Sequence, residues 1–251
     1  MSARRLAVIA GSGMGPLCAI MQTRATTPFA EIDGVGACGV DGHAGEVRAG
    51  AVSGRESLLV LGRRHGYEGG FAAVERLVAF LSGRGATDLL VTSAAGALWP
   101  TLHPGDLVLV SDLLDRQNRR ARCRGEDTID TRSNRAGAGD ATLAALVERS
   151  ARAAGVRLHR GVAVSCLGPA YETAAEVAAL QVAGADVATM SGAPEVEAAA
   201  RHGLRAAAVA LVTNPATGIA ASVPNHAEVL RVGTETCGGL ARLIQQLVIE
   251  L

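Results

Sequence analysis

Residues 58–92 read LLVLGRRHGYEGGFAAVERLVAFLSGRGATDLLVT, and this stretch decides the fold class. Leu58–Leu61 is a short apolar run that ends in a glycine-bounded polar turn. Phe71–Leu81 then places Val74, Leu77, Val78 and Leu81 three and four residues apart, the spacing of one helix face. A second apolar run, Leu89–Thr92, follows. Continuous apolarity over so few residues, without strict alternation, marks a strand covered on both faces. Strand, helix and strand in this order predict a sheet with helices packed against it.

The same units recur on either side. Leu6–Ala10, Leu107–Val110, Gly161–Ser165, Val187–Met190 and Ala206–Thr213 read as strands. Leu143–Ala154, Ala174–Ala183 and Glu195–His202 read as helices. His226–Val248 reads as one long final helix, although Gly233, Gly238 and Gly239 weaken its continuity. With no repeat and no linker, the expectation is a single α/β domain over residues 1–251. Its mixed central β-sheet is flanked by helices on both faces. Gln117–Asp140 is polar, rich in Arg, Asp and Gly, and patternless. It is expected as a long loop, either disordered or part of an active-site rim.

Composition narrows the function classes. Hydrophobic residues make up 49% and aromatics only 2%, so the core is aliphatic. The 24 basic and 24 acidic residues balance, which gives no support for nucleic-acid binding driven by phosphate contacts. Every basic residue is Arg, and five fall within Arg116–Arg124, a solvated loop or a grip for an anionic partner. Cys18, Cys38, Cys123, Cys166 and Cys237 are odd in number and form no C-x-x-C pair, which argues against a disulfide framework or a zinc site. Reduced thiols in a cytoplasmic protein are expected. The opening MSARRLAVIAGSG lacks the longer apolar region of a signal peptide. No uncharged apolar run reaches about 18 residues, so no membrane span is expected.

In α/β sheets ligands bind beyond the carboxyl ends of the strands. There Gly11-Ser12-Gly13-Met14-Gly15 brings backbone N–H groups and the Ser12 hydroxyl toward an anion, or is a plain strand-to-helix turn. Pro16 stands where a dinucleotide fingerprint needs Gly or Ala, and a Walker lysine is absent. In Gly62–Gly69, Arg63 offers a fork of donors and His65 another, with a solvated basic turn as the alternative. The small residues of Thr92–Leu98 allow close backbone approach to a ligand, or form a tight packing loop. Tyr171 and Glu172 suit stacking and hydrogen bonding to a flat heterocycle, although Glu172 also suits a helix start. Pro194-Glu195 reads as a helix start. Thr213-Asn214 ends the most apolar strand and presents both a donor and an acceptor. Asn225-His226 opens the last helix.

Taken in order, these clusters resemble the trimeric purine nucleoside phosphorylase family, which also contains the methylthioadenosine phosphorylases. The strongest pieces are GRRHGYEGG, GPAYET and GADVATMSGAPE, joined by Gly42-His43-Ala44-Gly45 and Pro104-Gly105-Asp106. The match runs from Gly11 to about Leu230. The resemblance implies that Ser12, Arg63, His65, the Ala94 N–H and Ser191 bind phosphate. It places Tyr67, Met190 and His226 on the ribose, and Tyr171, Glu172 and Asn214 on the base. Asn214, Glu172 and His65 are the catalytic set it implies. The implied reaction is phosphate-dependent cleavage of inosine or guanosine, or their deoxy forms, to free base and (deoxy)ribose 1-phosphate. It needs no metal or organic cofactor, and the implied assembly is a homotrimer.

Several positions depart from the family's pattern. Ser93 replaces a common Asn, Ala97 a Gly, and Gly192 a hydroxyl residue. Pro215 after Asn214 is unusual. No Phe, Tyr or Trp lies between Trp99 and Tyr171, where the family carries an aromatic segment that reaches a neighbouring subunit's ribose site. Three other readings stay open. A methylthioadenosine phosphorylase tends to carry Asp where Asn214 stands. A non-catalytic relative would bind purines without turnover. A nucleotide-binding oxidoreductase would use Gly11–Gly15, against which Pro16 counts.

Overall fold

The computed structural model describes residues 4–117, 139–221 and 224–251. Cys123, most of the Arg116–Arg124 cluster and nearly all of the loop expected at Gln117–Asp140 lie outside them.

The strands are β1 (Leu6–Ala10), β2 (Met21–Pro28), β3 (Glu46–Val52), β4 (Arg55–Leu61), β5 (Asp88–Ala97), β6 (Leu107–Arg116), β7 (Leu158–Cys166), β8 (Val187–Thr189) and β9 (Arg205–Pro215). They form one mixed sheet in the order β2-β3-β4-β1-β5-β8-β7-β6-β9. β9 also pairs with β5 in parallel along its length, from Asp88 opposite Arg205 to Ala97 opposite Pro215. That extra pairing closes β5, β8, β7, β6 and β9 into a ring, which removes the edge that β9 would otherwise present and leaves β2 at the other. The ring brings the ends of strands distant in sequence to one place.

The helices are α1 (Phe71–Gly83), α2 (Ala141–Ala153), α3 (Ala174–Val182), α4 (Ala193–Arg201), α5 (His226–Thr236) and α6 (Gly238–Glu250). Alternation along β1 sorts the core into two layers. Ala7 and Ile9 pack with Val74, Leu77 and Leu81 of α1 and Val196 of α4. Leu6 and Val8 face the other way, onto Leu143 and Val147 of α2 and Leu240, Leu243 and Leu247 of α6. Helices therefore cover both faces, as expected. Each buried leucine in these layers contributes roughly 1.5–3 kcal/mol. Asp140 caps α2 by accepting from the Leu143 N–H at 2.8 Å. Among the described residues no helix is long and apolar enough to cross a membrane.

Three expectations are corrected. The final helix is two helices, which meet at Cys237 just before the Gly238-Gly239 pair. The small residues Ser93–Ala97 do not form a loop; they continue β5, because β9 supplies a hydrogen-bonding partner along their length. β2 and β3 were not read as strands. β2 (MQTRATTP) is an edge strand exposed along most of its length, and so lacks an apolar run.

Candidate active site

A cavity of about 360 Å³ opens at the ends of β1, β4, β5, β8 and β9. All of the residues assigned above to phosphate, ribose and base line it: Ser12, Arg63, His65, Tyr67, Ala94, Tyr171, Glu172, Met190, Ser191, Asn214 and His226.

Arg63 stands just beyond β4 and is 1% exposed. The preceding Gly62 has φ 100°, and a Cβ there would lie 2.5 Å from that of His43, so this turn takes only glycine. Arg63 Nη1 donates to Glu195 Oε1 at 3.2 Å, and Nη2 donates to the carbonyls of Ile9 and Thr92. Its Nε–H is buried and has no protein partner. A buried donor left unmet is costly. Burial pulls the Arg63 pKa down, and the Glu195 carboxylate opposes that shift.

Two histidines stand beside it. His43 Nε2 is 3.1 Å from Ser12 Oγ, and its Nδ1 lies 3.0 Å from the Arg63 carbonyl and 3.2 Å from the Arg63 N–H. For the Ser12 hydroxyl to donate to an anion, His43 must donate through Nε2 and accept from the Arg63 N–H. His65 stacks on His43 and on Tyr67, with ring centroids 5.3 and 5.2 Å away. Its backbone N–H donates to Glu68 Oε2 at 2.8 Å, which fixes the turn. Burial, then the Arg63 charge, lowers His65 to about 3 and His43 to about 4. Both are neutral hydrogen-bonding groups near pH 7.

Opposite lie groups suited to a heterocycle. Asn214 is buried; Oδ1 accepts from the Thr213 hydroxyl at 2.9 Å and Nδ2 donates to the Pro215 carbonyl at 2.9 Å. One N–H of the amide is left for a ligand. Pro215 therefore orients Asn214 through its carbonyl. Glu172 lies near the Cys166 thiol, whose pKa is raised first by burial and then by Glu172. Tyr171 is 36% exposed at the mouth. His226, first in α5, is placed by the Asn225 cap; its Nε2 donates to the Asp41 carbonyl at 3.0 Å. Nδ1 is then an acceptor suited to a hydroxyl.

Four supporting residues were not assigned from sequence. His43 sits inside the Gly42–Gly45 motif, which was matched without a role. Glu68 follows Tyr67 and fixes the His65 turn. Glu195 was read only as a helix start. Gln117 is buried and its Nε2 donates to the carbonyls of Met190 and Cys166, at 3.0 and 3.2 Å, tying two strand ends beneath the cavity. Nothing local marks Gln117 in the sequence.

Comparison with known proteins identifies the family. The family model described as the phosphorylase superfamily matches residues 5–249. The chain is 34% identical to the purine nucleoside phosphorylase of Mycobacterium tuberculosis over 247 residues, covering 97% of this chain and 88% of the relative. It is 30% identical to purine nucleoside phosphorylase 1 of Geobacillus stearothermophilus over 254 residues, covering 97% and 90%. The crystal structure of Schistosoma mansoni purine nucleoside phosphorylase in complex with inosine superposes with a TM-score of 0.87 at 31% identity, covering 99% of this chain and 90% of the other.

Proposed function

Because this chain belongs to the phosphorylase superfamily, we propose that it is a purine nucleoside phosphorylase, a pentosyltransferase that cleaves 6-oxopurine nucleosides such as inosine and guanosine with phosphate. The observation that carries the reading is a single cavity lined both by the buried cation Arg63 and by Asn214 and Glu172.

Phosphate binds to Ser12, Arg63, His65, the Ala94 N–H and Ser191. The neutral histidines donate without adding charge, so Arg63 carries the cationic contribution. Tyr67, Met190 and His226 hold the ribose. This places phosphate on one face of the anomeric carbon while the purine departs from the other. Positive charge develops on the sugar and negative charge on the base. The Asn214 amide donates to N7, where that negative charge collects, and Glu172 accepts from the N1–H side. Both groups fit a 6-oxopurine; a 6-aminopurine would want an acceptor where Asn214 donates. Each step uses groups of the protein and inorganic phosphate, without metal or organic cofactor.

A homotrimer in the cytoplasm belongs to the same proposal. Tyr171 at the cavity mouth and Val182 on α3 leave apolar surface for contact between copies. The cysteines among the described residues carry no disulfides. The test is hypoxanthine release from inosine with and without phosphate, run beside methylthioadenosine. Phosphate-dependent release from inosine is expected, and failure to turn over any purine nucleoside would overturn the reading.

A further inference from the structure

Glu195 stands behind the phosphate wall, in the first turn of α4, 1% exposed. Its Oε1 accepts from Arg63 Nη1 at 3.2 Å, and its Oε2 accepts from the Gly192 N–H at 2.7 Å. One carboxylate thus ties the side chain beyond β4 to the turn beyond β8. Gly192 holds this turn with φ 103°, a conformation that glycine adopts freely. Ser165 braces the same turn: its hydroxyl donates to the Ser191 carbonyl at 2.7 Å and accepts from the Ala193 N–H at 3.3 Å. With Nη2 held by the Ile9 and Thr92 carbonyls, the plane of the Arg63 guanidinium is fixed.

We propose that Glu195 is the positioning residue of the phosphate site, locking Arg63 and the Ser191–Gly192 turn into one frame before the anion arrives. The proposal rests on the reading of this cavity as a phosphate site. Donors held in place lose little freedom on binding and meet the anion at the right distance. A purely electrostatic role has the opposite sign. A carboxylate beside Arg63 subtracts from its attraction for an anion, so removing that charge would tighten phosphate binding.

Two variants separate these roles. Glu195→Gln keeps the length and removes the charge; Glu195→Asp keeps the charge and shortens the reach. Calorimetry with inorganic phosphate on the full chain gives Kd without requiring turnover. Both variants are expected to weaken phosphate about 10-fold or more, with the phosphate KM rising alongside. The inosine KM at saturating phosphate is expected to stay within about 2-fold, which general damage to the fold would not allow. A folded variant with unchanged or tighter phosphate binding overturns the proposal, as does an equal rise in both KM values. If Glu195→Gln fails to fold, Glu195→Asp decides. If neither folds, the Arg63 Nε–H signal in the NMR spectrum of phosphate-free wild type decides. A single slowly exchanging resonance supports the frame, and rapid averaging overturns it. Wild type that binds phosphate but cleaves no purine nucleoside refutes the functional reading alone; wild type that binds no phosphate refutes both.

Discussion

His43 and His65 stack with their rings 5.3 Å apart and inclined by 23°, and burial keeps both uncharged. They bring neutral hydrogen-bonding groups to the cavity without adding two more cations to a space already holding Arg63.

That arrangement sets a pH dependence. Above about pH 6.5 neither the folded nor the unfolded chain protonates these rings, and their contribution to stability is complete. Below it the unfolded chain takes up protons that the folded chain refuses, down to about 4 for His43 and about 3 for His65. Stability in phosphate-free buffer is therefore lost as pH falls from 6.5 toward 4. Each excluded proton contributes up to about 1.4 kcal/mol per pH unit. Denaturant melts across this range should show the slope, and His43→Gln should flatten it; an unchanged slope would contradict the assignment.

On the proposed reading the Ser12 hydroxyl, hydrogen-bonded to His43 Nε2 at 3.1 Å, donates to phosphate. Ser12→Ala is expected to raise the phosphate KM about 10-fold, with little change in the inosine KM. Steady-state kinetics with each substrate varied in turn measures the split.

Asn214 donates to the Pro215 carbonyl, so a carboxylate at this position would face that oxygen and lose the donor to N7. Asn214→Asp is expected to lower kcat/KM for inosine by about 10²–10³. Phosphate affinity should hold. Parallel loss of phosphate binding would show that Asn214 serves the fold instead.

Gly62 holds the phosphate turn with φ 100° against His43. Gly62→Ala is expected to destabilise the chain by roughly 1–3 kcal/mol and to weaken phosphate, because the added methyl pushes on His43. Leu243→Ala, in the far core layer, should cost about 2–5 kcal/mol and leave phosphate affinity unchanged. Denaturant melts and phosphate titration of the two variants test the contrast.

Much of this was legible in the sequence, for physical reasons that differ by element. β1, β4, β5 and β9 are covered on both faces, so Leu6–Ala10 and its counterparts carry unbroken apolar runs. β2 sits at an edge and is exposed along most of its length; its residues Gln22–Thr27 carry no such run. The ring closure was not legible, because it depends on the register between Asp88–Ala97 and Arg205–Pro215, residues more than a hundred positions apart. The same pairing makes strand of the small-residue stretch after Thr92. In the site, side chains that line the cavity stand in conspicuous strand-end motifs, as Arg63 and His65 do. Those that act from behind do not. Glu195 looks like any acidic residue at a helix start, and Gln117 has no local mark. Their partners Arg63, Met190 and Cys166 lie 132, 73 and 49 positions away.

On the proposed reading phosphate, not water, attacks the sugar. Phosphorus NMR of the enzyme with inosine and inorganic phosphate, read beside the hypoxanthine signal in the ultraviolet, tests it most directly. A sugar-phosphate resonance growing in step with hypoxanthine is predicted. Hypoxanthine released while inorganic phosphate stays constant would contradict it.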